Sequence, residues 1–216
     1  MAALFWSFGG LFSKLIPWSG LTIAAVRSVI AAITIGLYRK SFLFKLNKST
    51  VLASICILLT TVLFMMANKM TSAANAIVLQ YTSPLFIIIL SLIIFKQKPK
   101  KRDLFAVVGV GFGIGLFFFE QFQSGNYMGD LLALASGLTF AGVFFSNKLP
   151  GASPIDATYM GNMIGIVLLP FMFVDKQYAA HSGWLPWLTI LAMGVIQQAG
   201  GYIFFSKGIK HTSATS

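Results

Sequence analysis

An all-α, polytopic membrane protein is the fold class this sequence predicts, and three observations predict it. Of the 216 residues, 57% are hydrophobic and only 10% are charged, against roughly a quarter charged in a soluble domain. The mean hydropathy is +0.83. The apolar residues also fall into eight runs near the length a bilayer demands, about 20 residues to cross about 30 Å of hydrocarbon.

The runs occupy residues 2–16, 20–38, 50–69, 74–95, 103–119, 129–147, 154–174 and 184–206. The first is short and starts apolar, with Leu4, Phe5 and Trp6 close to the amino terminus and a second run just behind; it reads as a helix rather than a signal peptide. The second carries Arg27, about seven residues in. The third holds Cys56, the single cysteine, which rules out an internal disulfide and any Cys-based metal spacing and leaves packing as its role. In the fourth, Pro84 follows Gln80, Tyr81, Thr82 and Ser83. It deletes a backbone hydrogen bond and bends the helix, either freeing carbonyls toward a midplane cavity or improving packing. The fifth contains Gly109, Gly111, Gly113 and Gly115; with no strand ahead of them they predict close helix packing, not phosphate binding. The eighth holds Gln197, Gln198 and Tyr202.

A net charge of +11 would suit nucleic acid if it lay on one polar face, but the bases sit in short loops between spans, so topology accounts for them. Arg39, Lys40, Lys45 and Lys48 follow the second run, and Lys96, Lys98, Lys100, Lys101 and Arg102 the fourth. Basic loops are cytoplasmic. Alternation then puts the amino terminus, Lys148, Lys207 and Lys210 on the cytoplasmic side, and Lys14, Lys69, Lys176, Glu120, Asp130 and Asp175 outside. No soluble domain interrupts the spans. The expected partners are the lipid bilayer and a small molecule, with a homodimer left open; no nucleic acid, metal or cofactor is called for.

Comparing the chain with itself aligns Phe64–Ala73 with Phe205–Ala214, sharing Phe, Lys, Thr, Ser and Ala, and Ser13–Pro17 with Asn147–Gly151. The offsets, 141 and 134 positions, fit a repeat of five helices plus a short insertion. Five is odd, so the copies are inverted. The loop after the seventh run, with Asp175, Lys176 and His181, lacks the basic bias of its counterpart, as inversion requires. The first copy spans residues 1–119 and the second 129–216; the counterparts of residues 76–119 would lie beyond residue 216, so the second copy is expected to be truncated, eight helices of ten.

Candidate site residues follow from what is expensive in lipid. A charge at the depth of Arg27 costs about 2.5 to 3.5 kcal/mol, so Arg27 faces protein or water, either as a contact for a substrate carboxylate or as a structural cation bonded to neighbouring helices. Asn68, Gln80, Gln197 and Gln198 place amides in apolar helices, and each needs a partner, a neighbouring helix or a substrate. Tyr81, Thr82 and Pro84 line the site if the bend opens a cavity. Trp6 and Tyr202, with Ser7 and Gln198 nearby, form a candidate aromatic wall with polar tips. Trp18, Trp184 and Trp187 sit at span ends, where aromatic side chains anchor at the interface or pack between helices. No acid lies in mid-span, which removes the usual proton-relay carboxylate. His181 and His211 have no catalytic or metal-binding neighbours, and no enzyme is expected.

Leu4 to Phe12 (LFWSFGGLF), Arg27 among small and apolar neighbours, Leu79 to Pro84 (LQYTSP), Gly129 to Leu134 (GDLLAL) and Gly201 to Gly208 (GYIFFSKG) together resemble an EamA-type drug/metabolite transporter. The resemblance implies ten helices in two inverted repeats of five, both termini cytoplasmic, in the plasma membrane. It also implies secondary transport of small metabolites such as amino acids, often outward, by alternating access at a midplane site between the repeats. Many relatives carry a Glu soon after the fourth helix, where this chain has Phe95, Lys96 and Gln97. The rival reading is a non-transporting membrane component, or a fragment that needs a partner chain.

Overall fold

The computed structural model describes residues 1–44, 46–96, 104–105, 107–113, 115, 127–181 and 183–209. Helices α1 (Ala2–Leu15), α2 (Gly20–Arg39), α3 (Lys48–Met70), α4 (Ala73–Gln80) and α5 (Ser83–Phe95) come first. Then follow α6 (Tyr127–Ser146), α7 (Pro154–Gly165), a 3-10 turn, the short α8 (Phe171–Val174) and α9 (Lys176–Ala180). Last come α10 (Trp184–Ala192), a π-helical stretch (Met193–Gly200) and α11 (Gly201–Gly208). Six helical stretches among the described residues are long and apolar enough to cross a membrane, Gly20–Arg39, Lys48–Met70, Ala73–Ile94, Tyr127–Ser146, Pro154–Val174 and Trp184–Gly208. The first predicted run forms α1, 14 residues long. Much of the fifth, 103–119, lies outside the described residues, as do Lys45, Gln97, Lys98, Lys100, Lys101, Arg102, Glu120, Lys210 and His211.

Local chemistry sets the helix starts. The side chains of Ser19, Asn47 and Ser72 accept from the backbone N–H groups of Thr22, Thr50 and Asn75, filling donors that a helix's first turn leaves open. Pro84 ends α4: the chain turns at Tyr81 and Thr82 and restarts with Pro84 in the first turn of α5, where its missing N–H does no harm.

Polar ties gather the helix ends into two layers. In one layer Lys14 Nζ donates to the Thr71 carbonyl, Ser19 N and the Thr22 hydroxyl to Asp175, Asn75 to Asp130, and the Trp18 indole to the His181 carbonyl. The other layer holds the Arg39–Asp156 ion pair, the bond of Asn47 to the Gly151 carbonyl, and Lys148 Nζ on the Ile209 carbonyl. The Asp175 carboxyl lies at the first layer, beyond the spans. Burial alone would raise its pKa, and the bonds from Thr22, Ser19 and Tyr178 overcome this and hold it below its ordinary value.

Packing between the halves is reciprocal. α1 packs on the π stretch and α11, α3 on α6 and α7, and α2 on α7 and the π stretch. The lysines matched by self-comparison also act alike at opposite layers. Lys14 reaches the carbonyl that ends α3, and Lys148 the one that ends α11, both at 2.8 Å.

Of the two roles open to Trp18, it takes packing: it is fully buried, edge-on to Tyr178 and Trp187, with its indole N–H on the His181 carbonyl. One expectation needs correction. Gly109, Gly111, Gly113 and Gly115 are not packing contacts here, since a Cβ on any of them would meet no described atom within 4 Å. Close approach occurs instead at Gly20, where a Cβ would press on the Met65 and Met66 backbone at 2.8 Å, and at Gly161, against the Ser54 carbonyl at 2.8 Å.

Candidate functional site

A cavity of about 350 Å³ opens between the layers, walled by α1, α2, α3, the α4–α5 break, α6, the π stretch and the start of α11. Arg27 reaches it from the middle of α2. It is 2% exposed, and Nη1 donates to Gln197 Oε1 at 2.9 Å. Its Nε, equally buried, has no hydrogen-bond partner. No acidic side chain lines the cavity among the described residues, so the guanidinium stands there without a counter-charge.

The π stretch explains how two consecutive glutamines both serve the interior. Widening the helix over Met193–Gly200 buries Gln197 and Gln198 together, a device that recurs at functional sites. Gln197 holds Arg27, while Gln198 Nε2 donates to Thr61 Oγ1 and to Asn162 Oδ1, each at 3.1 Å. Gly9 makes room for the first amide: a Cβ there would stand 2.9 Å from Gln197 Nε2.

Aromatic rings close one side. Trp6 meets Phe140 and Tyr202 edge-on, with centroids 5.3 and 5.2 Å apart, and Phe144 stands edge-on to Phe140 at 5.2 Å. Gly201 leaves the space that the Trp6 indole fills. Such edge-to-face stacking fixes ring positions and adds about 0.5 to 1.5 kcal/mol per pair, so this wall is preformed.

Of the residues singled out in the sequence, Arg27, Gln80, Tyr81, Pro84, Gln197, Gln198, Tyr202, Trp6 and Ser7 line the cavity. Thr82 and Asn68 are not among its lining residues. Thr82 is buried against Gly137, with its hydroxyl on the Leu79 carbonyl at 2.7 Å, and Asn68 donates to the Phe64 carbonyl one turn back. The backbone carbonyls of Leu79 and Gln80 lie where a Cβ on Gly137 would meet them at 3.3 and 3.1 Å, so at these residues the bend serves close packing with α6. Thr60, Thr61, Phe64, Phe140 and Phe144 also line the cavity and were missed. The adjacent hydroxyls of Thr60 and Thr61 in an apolar run were the one available signal. Thr60 bonds to the Cys56 carbonyl and Thr139; Gln80 is 3.4 Å from the Ser136 hydroxyl.

A second cavity, at the Asp175 layer, is lined by Lys14, Lys69 and His181. Both lysines there already donate to backbone carbonyls, of Thr71 and Ile16. Among the described residues no cluster of three or more His, Cys, Asp or Glu could hold a metal ion.

The sequence matches the EamA-like transporter family over residues 1–119 and again over 127–216. An uncharacterized transporter of Archaeoglobus fulgidus is 27% identical over 156 residues, covering 71% of this chain and 54% of that protein. The uncharacterized transporter YyaM of Bacillus subtilis is 26% identical over 210 residues, 92% of this chain and 68% of its own. The chain thus spans between about half and two thirds of these relatives. A solved crystal structure superposes over 99% of this chain and 78% of its own with a TM-score of 0.66, at 16% identity, a likeness of fold alone.

Proposed function

The chain belongs to the EamA-like transporter family, and from that premise we propose that it is a secondary transporter exporting small metabolites that carry a carboxylate, amino acids being the class the family resemblance suggests. One observation carries the proposal: a buried arginine, short of hydrogen bonds and without a counter-charge, projects into a cavity between the two layers of helix ends. Such a group is costly to keep, and an anionic substrate would complete it.

Alternating access fits the arrangement. The walls come from both halves of the sequence, α1 to α5 on one side and α6 with the π stretch on the other. The reciprocal packing and the matched Lys14 and Lys148 bonds support two inverted repeats, residues 1–119 and 129–216, that rock about the cavity. Basic side chains gather at the Arg39–Asp156 layer, which we place in the cytoplasm, with the amino terminus, in the plasma membrane.

The test is efflux of labelled amino acids and simple carboxylates from vesicles containing the purified protein. Saturable efflux that Arg27→Gln cuts to a small residue, with the variant still folded, is the expected result. Vesicles that release none of these compounds faster than empty ones would refute the proposal.

A further inference from the structure

We infer that the cavity selects a monoanion, a carboxylate on an aromatic or bulky apolar body with no ammonium group, so that aryl carboxylates are preferred over amino acids and organic cations are refused. The inference rests on the transport reading for its setting but is decided by binding alone.

Charge comes first. Arg27 is the one charged side chain among the described residues lining the cavity. A guanidinium offers five N–H donors in a planar fork that matches a carboxylate. Here the Gln197 bond uses one, and Nε, buried, is unpartnered. A carboxylate beside the guanidinium would neutralise a cation that the described lining leaves without a counter-charge. No acidic side chain among the described lining residues would pair with an ammonium. The remaining polar lining is neutral, and much of it is committed: the Ser7 hydroxyl to the Leu4 carbonyl, Thr60 to Cys56 and Thr139, Thr61 to Gln198. With its carboxylate on Arg27, an amino acid would therefore bring a second cation that no acidic side chain of the described lining balances, and an amine would bring only the repulsion.

Shape comes second. Trp6, Phe64, Phe140, Phe144 and Tyr202 give the cavity an aromatic face, which would pack against a ring or branched chain. The volume, about 350 Å³, is at the small end of ligand pockets, which suits one ring with a short acidic arm.

The experiment holds the body constant and varies the charge. Equilibrium binding of 3-phenylpropanoate, L-phenylalanine and 2-phenylethylamine to the purified wild-type chain in lipid nanodiscs is measured at neutral pH. The expected order is 3-phenylpropanoate first, phenylalanine at least about tenfold weaker and the amine undetectable; about tenfold corresponds to about 1.4 kcal/mol. Arg27→Lys, which keeps the charge and loses the fork, should weaken the carboxylate at least several-fold, and Arg27→Gln should abolish it. Phenylalanine binding as tightly as the carboxylate, any binding of the amine, or binding of none of the three would overturn the inference. Because the three ligands are compared on the wild-type chain, misfolding of a variant does not affect the outcome. Carboxylate binding without flux in vesicles would sink the transport reading and spare this one, while saturable efflux of amino acids that bind as tightly as 3-phenylpropanoate would do the reverse.

Discussion

Arg27 and Arg39 project from the same helix, about three turns apart, and the fold treats them in opposite ways. Arg39, at the end of α2, pairs with Asp156, donates to the carbonyls of Ser41 and Leu43 and lies 4.8 Å from the Tyr159 ring centre. Arg27, in the middle, has one amide and an idle Nε. Both are withdrawn from solvent, so burial alone does not tell a structural cation from a binding one. The contrast lies in completeness: the first is satisfied by the protein, and the second is not, the gap that the proposed substrate would fill.

The strongest way to break this contrast is to remove each arginine. Arg39→Ala leaves Asp156 buried and unpaired and should cost about 3 kcal/mol in an SDS unfolding titration. Arg39→Met combined with Asp156→Leu should recover most of that loss. Arg27→Gln should cut transport roughly 100-fold, about 2.7 kcal/mol, without lowering stability, since it removes an uncompensated charge. Equal destabilisation by the two single changes would make Arg27 a structural cation after all.

Smaller effects sharpen the same division. Lys14→Met and Lys148→Met each remove one charged bond to a helix-ending carbonyl and should cost about 1.5 kcal/mol apiece. Unequal losses would count against the two lysines being counterparts. Gly9→Ala pushes the Gln197 amide off its place and should change carboxylate affinity several-fold, by about 1 kcal/mol, with little change in the unfolding midpoint. The smallest effect belongs to Asp175. Its folded pKa lies below the unfolded one, so its contribution is complete above the unfolded value and fades as pH falls through the folded one. Acid unfolding curves of wild type and Asp175→Asn should therefore coincide less well at neutral pH than in strong acid.

Much of this arrangement was legible in the sequence because lipid imposes length and punishes charge. Span positions followed from apolar runs, and the amides and Arg27 stood out as costly. The rest depended on rotation and register. Phe140 and Phe144 look like any phenylalanine in a span until α6 is set against α1. A π stretch leaves no compositional mark at Gln197. Asp156 escaped notice because it sits in the first turn of α7, and only the fold brings it to Arg39. The role of Trp18, anchor or packing, stayed open because a position near a span end says nothing of what covers it.

The placement of Trp6 has a practical consequence. Of the four tryptophans, Trp6 lines the cavity, Trp18 is sealed in the Asp175 layer, and Trp184 and Trp187 are 76% and 40% exposed. With the other three replaced by Phe, the remaining indole becomes an intrinsic fluorophore at the heart of the protein. An occupant that displaces water beside it would shift its emission, so the molecule carries its own optical gauge of whether the cavity is filled.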